Sequence, residues 1–166
     1  DISEVSRAEE GQLPVQLHPL AVDDLLASAL QEWEERFETA GVALRREVAL
    51  PHSVTIHADP DRLAQVLGNL LSNALRHTSP GGTVTVSAAT HGSTVEIAVA
   101  DDGEGFTAED RSRLFERFFR IGEGQGAGLG LSIVRRVVEL HQGSIALDES
   151  PLGGLRVSVR LPRNHS

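Results

Sequence analysis

The stretch Asp101-Asp102-Gly103-Glu104-Gly105 follows an alternating apolar run, Val95 to Val99, that reads as a buried strand. It sets a carboxylate at the strand end and then two glycines, two apart. Further on, Gly126-Ala127-Gly128-Leu129-Gly130-Leu131 opens a helical apolar pattern carried by Leu129, Ile133, Val134, Val137, Val138 and Leu140. Glycines at a helix start let backbone N–H groups approach an anion closely, and the helix adds the positive end of its dipole. A carboxylate can accept a hydrogen bond from an exocyclic amine. Together the two stretches describe a purine-nucleotide site.

Composition narrows the field. At 166 residues and 40% apolar, the chain has material for one cored domain with at most a short appendage. A net charge of −9 argues against a nucleic-acid or anionic-membrane surface, both of which need clustered positive charge. There is no cysteine, hence no disulfide framework and no thiolate metal site. All 15 basic residues are arginine. Without lysine there is no P-loop and no Schiff-base chemistry. No apolar run approaches the ~20 residues that span a bilayer. A chain that opens on Asp1 and holds no methionine reads as a fragment of something longer, itself soluble and cytoplasmic.

In chain order, Asp1 to Glu10 is polar with Ile2 and Val5 on one helical face, and Gly11 would stop it. Leu13, Val15 and Leu17 alternate as an edge strand that Pro19 breaks. Asp23 is placed to cap a helix running to about Ala40, with Leu26, Leu30, Trp33 and Phe37 inward and Gly41 as its stop. Strands follow near Leu44–Val48 and Val54–His57. Asp59-Pro60 then opens a helix with a cap and a proline at its first position, where the missing N–H costs nothing. Its apolar face is Leu63, Val66, Leu67, Leu70, Leu71, Ala74 and Leu75. Asn69, Asn73 and His77 lie along one stripe of it, with Arg76 beside them. Asparagine is a poor helix former. A pair one turn apart is either a solvated face or a hard-cation site, where amide oxygens supply one or two ligands and phosphates the others.

A turn at Ser79–Gly82 leads to paired strands, Thr83–Ala89 and Thr94–Ala100, around His91-Gly92-Ser93. A short helix is expected near Ala108–Glu116, then Phe115, Phe118 and Phe119 with Arg120, then a mobile glycine-rich loop, Ile121 to Gln125. The glycine-opened helix ends near His141-Gln142-Gly143, where His141 is expected to act as a charge partner of the helix end. Ser144–Leu147 and Leu155–Leu161 finish as strands around a turn at Pro151–Gly154. The sum is an α+β two-layer sandwich, a mixed and mostly antiparallel sheet packed on about three helices.

Four of these stretches, in this order, resemble the motifs of the catalytic ATP-binding domain of bacterial sensor histidine kinases, of the GHKL superfamily with the Bergerat fold. Asn69-Leu70-Leu71-Ser72-Asn73-Ala74 resembles the N box, Asp101–Gly105 the first glycine box, Leu114–Arg120 the F box, and Gly126–Leu131 the second glycine box. The resemblance covers nearly the whole chain. It implies that Asp101 accepts from the adenine amine and that Gly103 leaves room for the base. It implies that Asn73 holds Mg²⁺ bridging the phosphates of ATP, helped by Asn69. His77 stands where the family often has an aromatic against adenine, and Arg76 where a basic residue meets phosphate. Arg120 and the backbone of Gly126, Gly128 and Gly130 would contact phosphates, with Phe118 and Leu129 also lining the nucleotide. Gly105 would begin and Gly126 end a flexible ATP lid, which here is short and lacks the extra basic residue often found there.

The resemblance further implies two units: residues 1–12 as the end of a dimerisation and phosphotransfer helix, and residues 13–166 as the ATP-binding catalytic domain. The partners implied are the histidine-bearing dimerisation domain of the same protein and, downstream, a response regulator. The parent would be a homodimer in the cell membrane. The family's phospho-accepting histidine is followed by an acidic residue, whereas none of the seven histidines here precedes Asp or Glu. The acceptor is therefore expected upstream of Asp1. Two alternatives share the fold: a self-sufficient ATPase, and a serine kinase or anti-sigma-type regulator. The ATPase branches carry a glutamate as water-activating base where this chain has Asn69, and an amide cannot take that proton.

Overall fold

In the computed structural model the described residues are 15–51, 54–102, 127–149 and 153–163. The elements in order are β1 (His18–Ala21), α1 (Val22–Ala40), β2 (Ala43–Ala49), β3 (Thr55–Ala58), α2 (Pro60–Arg76), β4 (Thr83–His91), β5 (Thr94–Asp101), α3 (Ala127–Leu140), β6 (Ser144–Glu149) and β7 (Leu155–Pro162). Five strands form one sheet in the order β2-β4-β5-β7-β6, while β1 and β3 pair as a separate antiparallel ribbon. Among the described residues, only the β2–β4 pairing in the large sheet is parallel. A parallel pair needs a crossover, and the β3–α2 segment supplies it. The expected mixed, mostly antiparallel sheet on three helices is thus the observed α+β architecture.

The helices bury one apolar stripe each against one face of the sheet. Leu25, Leu26 and Phe37 of α1, Leu63, Leu67, Leu70 and Leu71 of α2, and Val134, Val137 and Val138 of α3 join Val84, Val86, Val95, Ile97, Val99, Val157 and Val159 in a single core. Period 3.6 on the helices and period 2 on the strands produce that split. The other sheet face is polar: Glu96 of β5 lies 3.6 Å from Arg156 Nη2 and 3.5 Å from Arg160 Nε, both on β7. Trp33 is half-buried against the core, edge-on to Phe37, with the Arg36 guanidinium 4.3 Å from its ring centroid.

Three local expectations are corrected. The N-cap of α1 is Ala21, which makes no side-chain cap bond; Asp23 sits inside the first turn, 3.5 Å from Arg46 Nη2. The dipole still favours a carboxylate there, so the sequence signal was electrostatic rather than a cap. Among the described residues the first strand begins at His18, after Val15 and Leu17, and includes Pro19, while Leu13 lies outside the described residues. A two-stranded ribbon is all edge, where a missing N–H is tolerated. His141 is no charge partner. It is buried, its Nδ1 lies 2.8 Å from the Val137 carbonyl, and the Asp59 N–H reaches its Nε2 at 3.0 Å. A carbonyl only accepts and an amide only donates, so Nδ1 carries the proton and Nε2 accepts. The ring ties the end of α3 to the start of α2.

Asp59 caps α2 as expected, its Oδ1 accepting from Asp61 N (3.0 Å) and Arg62 N (3.3 Å) and its Oδ2 from Gln16 N (3.0 Å). The Gln16 amide does most to hold this carboxyl below the usual carboxylate range; burial opposes it, and the Arg62 and Asp61 amides add to it. Asp59→Ala is expected to lower stability by about 1–2 kcal/mol, the scale of a lost cap. A shift of the urea midpoint measures it, and an unmoved midpoint would contradict the role.

Candidate functional site

The site grows from the C-terminal end of α2. The helix presents Asn69 half-buried and, one turn later, Asn73 at 6% exposure. That burial removes the solvated-face reading for Asn73. A buried amide needs partners, and Arg76 Nη2 donates to Asn73 Oδ1 at 2.8 Å. The amide oxygen thus already faces a cationic group. His77 follows as the C-cap, its N–H donating to the Ala74 carbonyl at 3.1 Å. Thr78 is buried and donates its hydroxyl to the same carbonyl at 2.8 Å.

Beside this helix end lies the end of β5. Asp101 pairs across from Val84 of β4 and is 3% exposed. Its Oδ1 accepts from Leu155 N–H, at the start of β7, at 3.2 Å. Asp102 and Thr83 exchange two bonds: Asp102 N–H donates to Thr83 O at 3.2 Å, and Thr83 N–H donates to Asp102 Oδ1 at 3.0 Å. This reciprocal pair fixes the chain direction where β5 ends. His77 lies within the field of Asp101. Burial of its ring pushes the His77 pKa down, Arg76 adds to that, and Asp101 opposes both.

The His77 shift gives a pH signature. A lowered folded-state value means that the unfolded chain binds the proton first. The contribution to stability is therefore complete above about pH 6.5 and is lost as pH falls from there through the lower folded value. In His77→Phe this acid-side loss is expected to vanish, so the variant gains on the parent as pH drops. Denaturant titrations across the acid range measure the difference, and a pH-independent difference would contradict it.

The third part is the start of α3. Gly128 and Gly130 fall in its first turn, where backbone N–H groups have no intrahelical acceptor. Because α3 packs on α2 and its far end is tied to the α2 N-terminus through His141, it runs back along α2. Its N-terminal turn, which includes Leu129, therefore comes toward the end of α2 that carries Asn73 and His77. Gly103, Gly105, Phe118, Arg120 and Gly126 lie outside the described residues, as do residues 1–14 and the lid.

The donor set suits a hard cation only in part. Among the described residues, no group of three or more His, Cys, Asp or Glu side chains could hold a metal. Two amide oxygens, one buried and aimed at a positive group, fit a cation whose remaining ligands are phosphate oxygens. Among the described residues no helix is long and apolar enough to cross a membrane.

One part of the site escaped sequence reasoning. Gly154 lies directly against Asp101: a Cβ there would clash with the Asp101 Oδ1 and with its carbonyl oxygen. The doubled glycine after Pro151 was the available signal, since a second glycine exceeds what a turn needs.

Residues 58–165 match the family described as histidine kinase-, DNA gyrase B-, and HSP90-like ATPase. Signal transduction histidine-protein kinase BaeS of Escherichia coli K12 is 39% identical over 168 residues, covering 98% of this chain and 35% of that protein. Alginate biosynthesis sensor protein KinB of Pseudomonas aeruginosa is 36% identical, covering 98% of this chain and 27% of that protein. The chain thus spans about a third of the length of these relatives. The nucleotide-free catalytic domain of histidine kinase ThkA matches the structure with a TM-score of 0.76 at 24% identity, covering 89% of this chain and 97% of that one. Full-length ShkA, solved in complex with AMPPNP, matches with a TM-score of 0.76 at 30% identity, covering 92% of this chain and 32% of that one.

Proposed function

Because the chain belongs to the family of histidine kinase-, DNA gyrase B-, and HSP90-like ATPases, we propose that it binds Mg·ATP between α2, the end of β5 and the start of α3. It then presents the γ-phosphate to a histidine on a neighbouring dimerisation domain. The observation that carries this reading is the buried Asp101 carboxylate, held by β7 at the same end of α2 as Asn73, Arg76 and His77. An acceptor fixed in a buried setting suits the adenine amine. His77, half-buried and short of protons, suits a ring laid against the base. Arg76 and the amides opening α3, Gly128 to Gly130, suit the phosphates. Arg120, Phe118, Gly126 and the lid glycines Gly103 and Gly105 complete the proposed contacts. Full-length ShkA, solved in complex with AMPPNP, supports a nucleotide as the ligand.

Asn73 and Asn69 would hold Mg²⁺, which would supply charge neutralisation to the phosphates. Phosphoryl transfer of this kind needs positioning and charge stabilisation more than covalent participation. Asn69 in place of a glutamate leaves no base for water, which favours transfer to a histidine over ATP hydrolysis. Residues 1–12 would be the end of the phosphotransfer helix, the parent a membrane homodimer, and a response regulator the downstream partner. Titration calorimetry tests the binding step. ATP is expected to bind with one site per chain, more tightly with Mg²⁺ than with EDTA, and absence of binding heat in both buffers at several temperatures would overturn the reading.

A further inference from the structure

The backbone of Gly154 and Leu155 does more than close a turn. Leu155 N–H donates to one named oxygen of Asp101, Oδ1, and the residue giving that bond is 54 positions away on β7. The bond is buried. Gly154 presses so closely that a methyl group in place of its hydrogen would clash with Oδ1 and with the backbone carbonyl of Asp101. Leu155 is 1% exposed and β7 is paired with both β5 and β6, so this donor is anchored on each side. A fixed N–H donor beside residue 101 has a chemical consequence. Whatever side chain stands there must turn an acceptor toward Leu155.

We infer that the Gly154–Leu155 backbone is the specificity-determining element of the nucleotide site, because it dictates which atom of residue 101 faces the base. The inference rests on the proposed adenine reading of Asp101. With aspartate the second carboxylate oxygen, Oδ2, is the one presented, and it accepts from a 6-amino group. With asparagine the amide cannot choose its orientation. Its single oxygen is held by Leu155 N–H and its NH₂ is turned to the base, where it meets a 6-amino group donor to donor and a 6-oxo group donor to acceptor. Without the clamp the same amide would rotate and read adenine through its oxygen.

The test uses three nucleoside triphosphates that differ at position 6 of the purine: ATP with an amine, inosine triphosphate with an oxo group, and purine riboside triphosphate with neither. Each is titrated into the parent, Asp101→Asn and Gly154→Ala, with circular dichroism as a check of fold. The parent is expected to prefer ATP. Asp101→Asn is expected to invert the order, inosine triphosphate binding roughly tenfold or more tightly than ATP, the scale of one buried hydrogen bond. Gly154→Ala is expected to weaken ATP by about tenfold while leaving purine riboside triphosphate within about threefold. A glycine that was merely structural would weaken all three ligands alike, and that outcome would overturn the inference. So would an Asp101→Asn protein that still prefers ATP, and this arm decides the matter if Gly154→Ala does not fold. An Asp101→Asn protein with the parent's affinity for all three would overturn the adenine assignment itself, whereas one that binds ATP more weakly than the parent but still prefers it overturns the inference alone.

Discussion

Asp101→Asn is expected to lower ATP affinity ten- to a hundredfold. The carboxylate is 3% exposed and one of its oxygens is bound to Leu155 N–H. The substitution keeps the shape and exchanges an acceptor for a donor. A buried polar group left facing its like costs about 1–3 kcal/mol, which is that range of affinity. Backbone pairing of Asp101 with Val84 is untouched, so the melting temperature should move little by comparison. Titration calorimetry reads the effect, and an unchanged ATP affinity would remove Asp101 from the base.

Asn73→Ala is expected to separate by metal. With Mg²⁺ present, ATP affinity should fall by about tenfold or more, since contacts to a charged group exceed ~1.5 kcal/mol. With EDTA the loss should stay within about threefold, because Asn73 is then tied to Arg76 and makes no contact with the nucleotide on this reading. Asn73 is buried and its Oδ1 accepts from Arg76 at 2.8 Å. On the proposed reading metal and guanidinium would compete for one oxygen, and Arg76 would turn to a phosphate when the metal takes its place. An equal loss in both buffers would make Asn73 a structural residue.

Elements written in local signals were legible from the residues. Asp59-Pro60 stated both the cap and the first position of α2, and Gly41, at φ 75°, ended α1 as expected. The asparagine pair stood out because two poor helix formers one turn apart ask for a reason, and Asn73 is buried rather than solvated. Where two local signals compete, the residues alone misled. Asp23 looked like a cap because an acid in the first turn and an acid at the cap share a signature. Pro19 looked like a strand breaker although the run before it reads as an edge strand, because the proline was weighed by its missing N–H and not by the edge that tolerates it. Contacts between distant residues were beyond periodicity altogether: Leu155 to Asp101, 54 residues apart, and Asp59 to His141, 82 apart. His141 shows the cost of reading a residue by its own helix, since its role comes from the start of another.

The most direct measurement of the account is phosphoryl transfer from radiolabelled ATP. None of the seven histidines precedes an acidic residue, and Asn69 offers water no base. The protein alone is therefore expected to bind ATP, to remain unlabelled and to release inorganic phosphate no faster than a control without protein. Adding the proposed histidine-bearing dimerisation domain in trans should label that domain, weakly, because the effective concentration of a tethered partner is lost. The label should survive base and be lost in acid. Acid-labile, base-stable label on the protein alone, or steady phosphate release by it, would contradict the account.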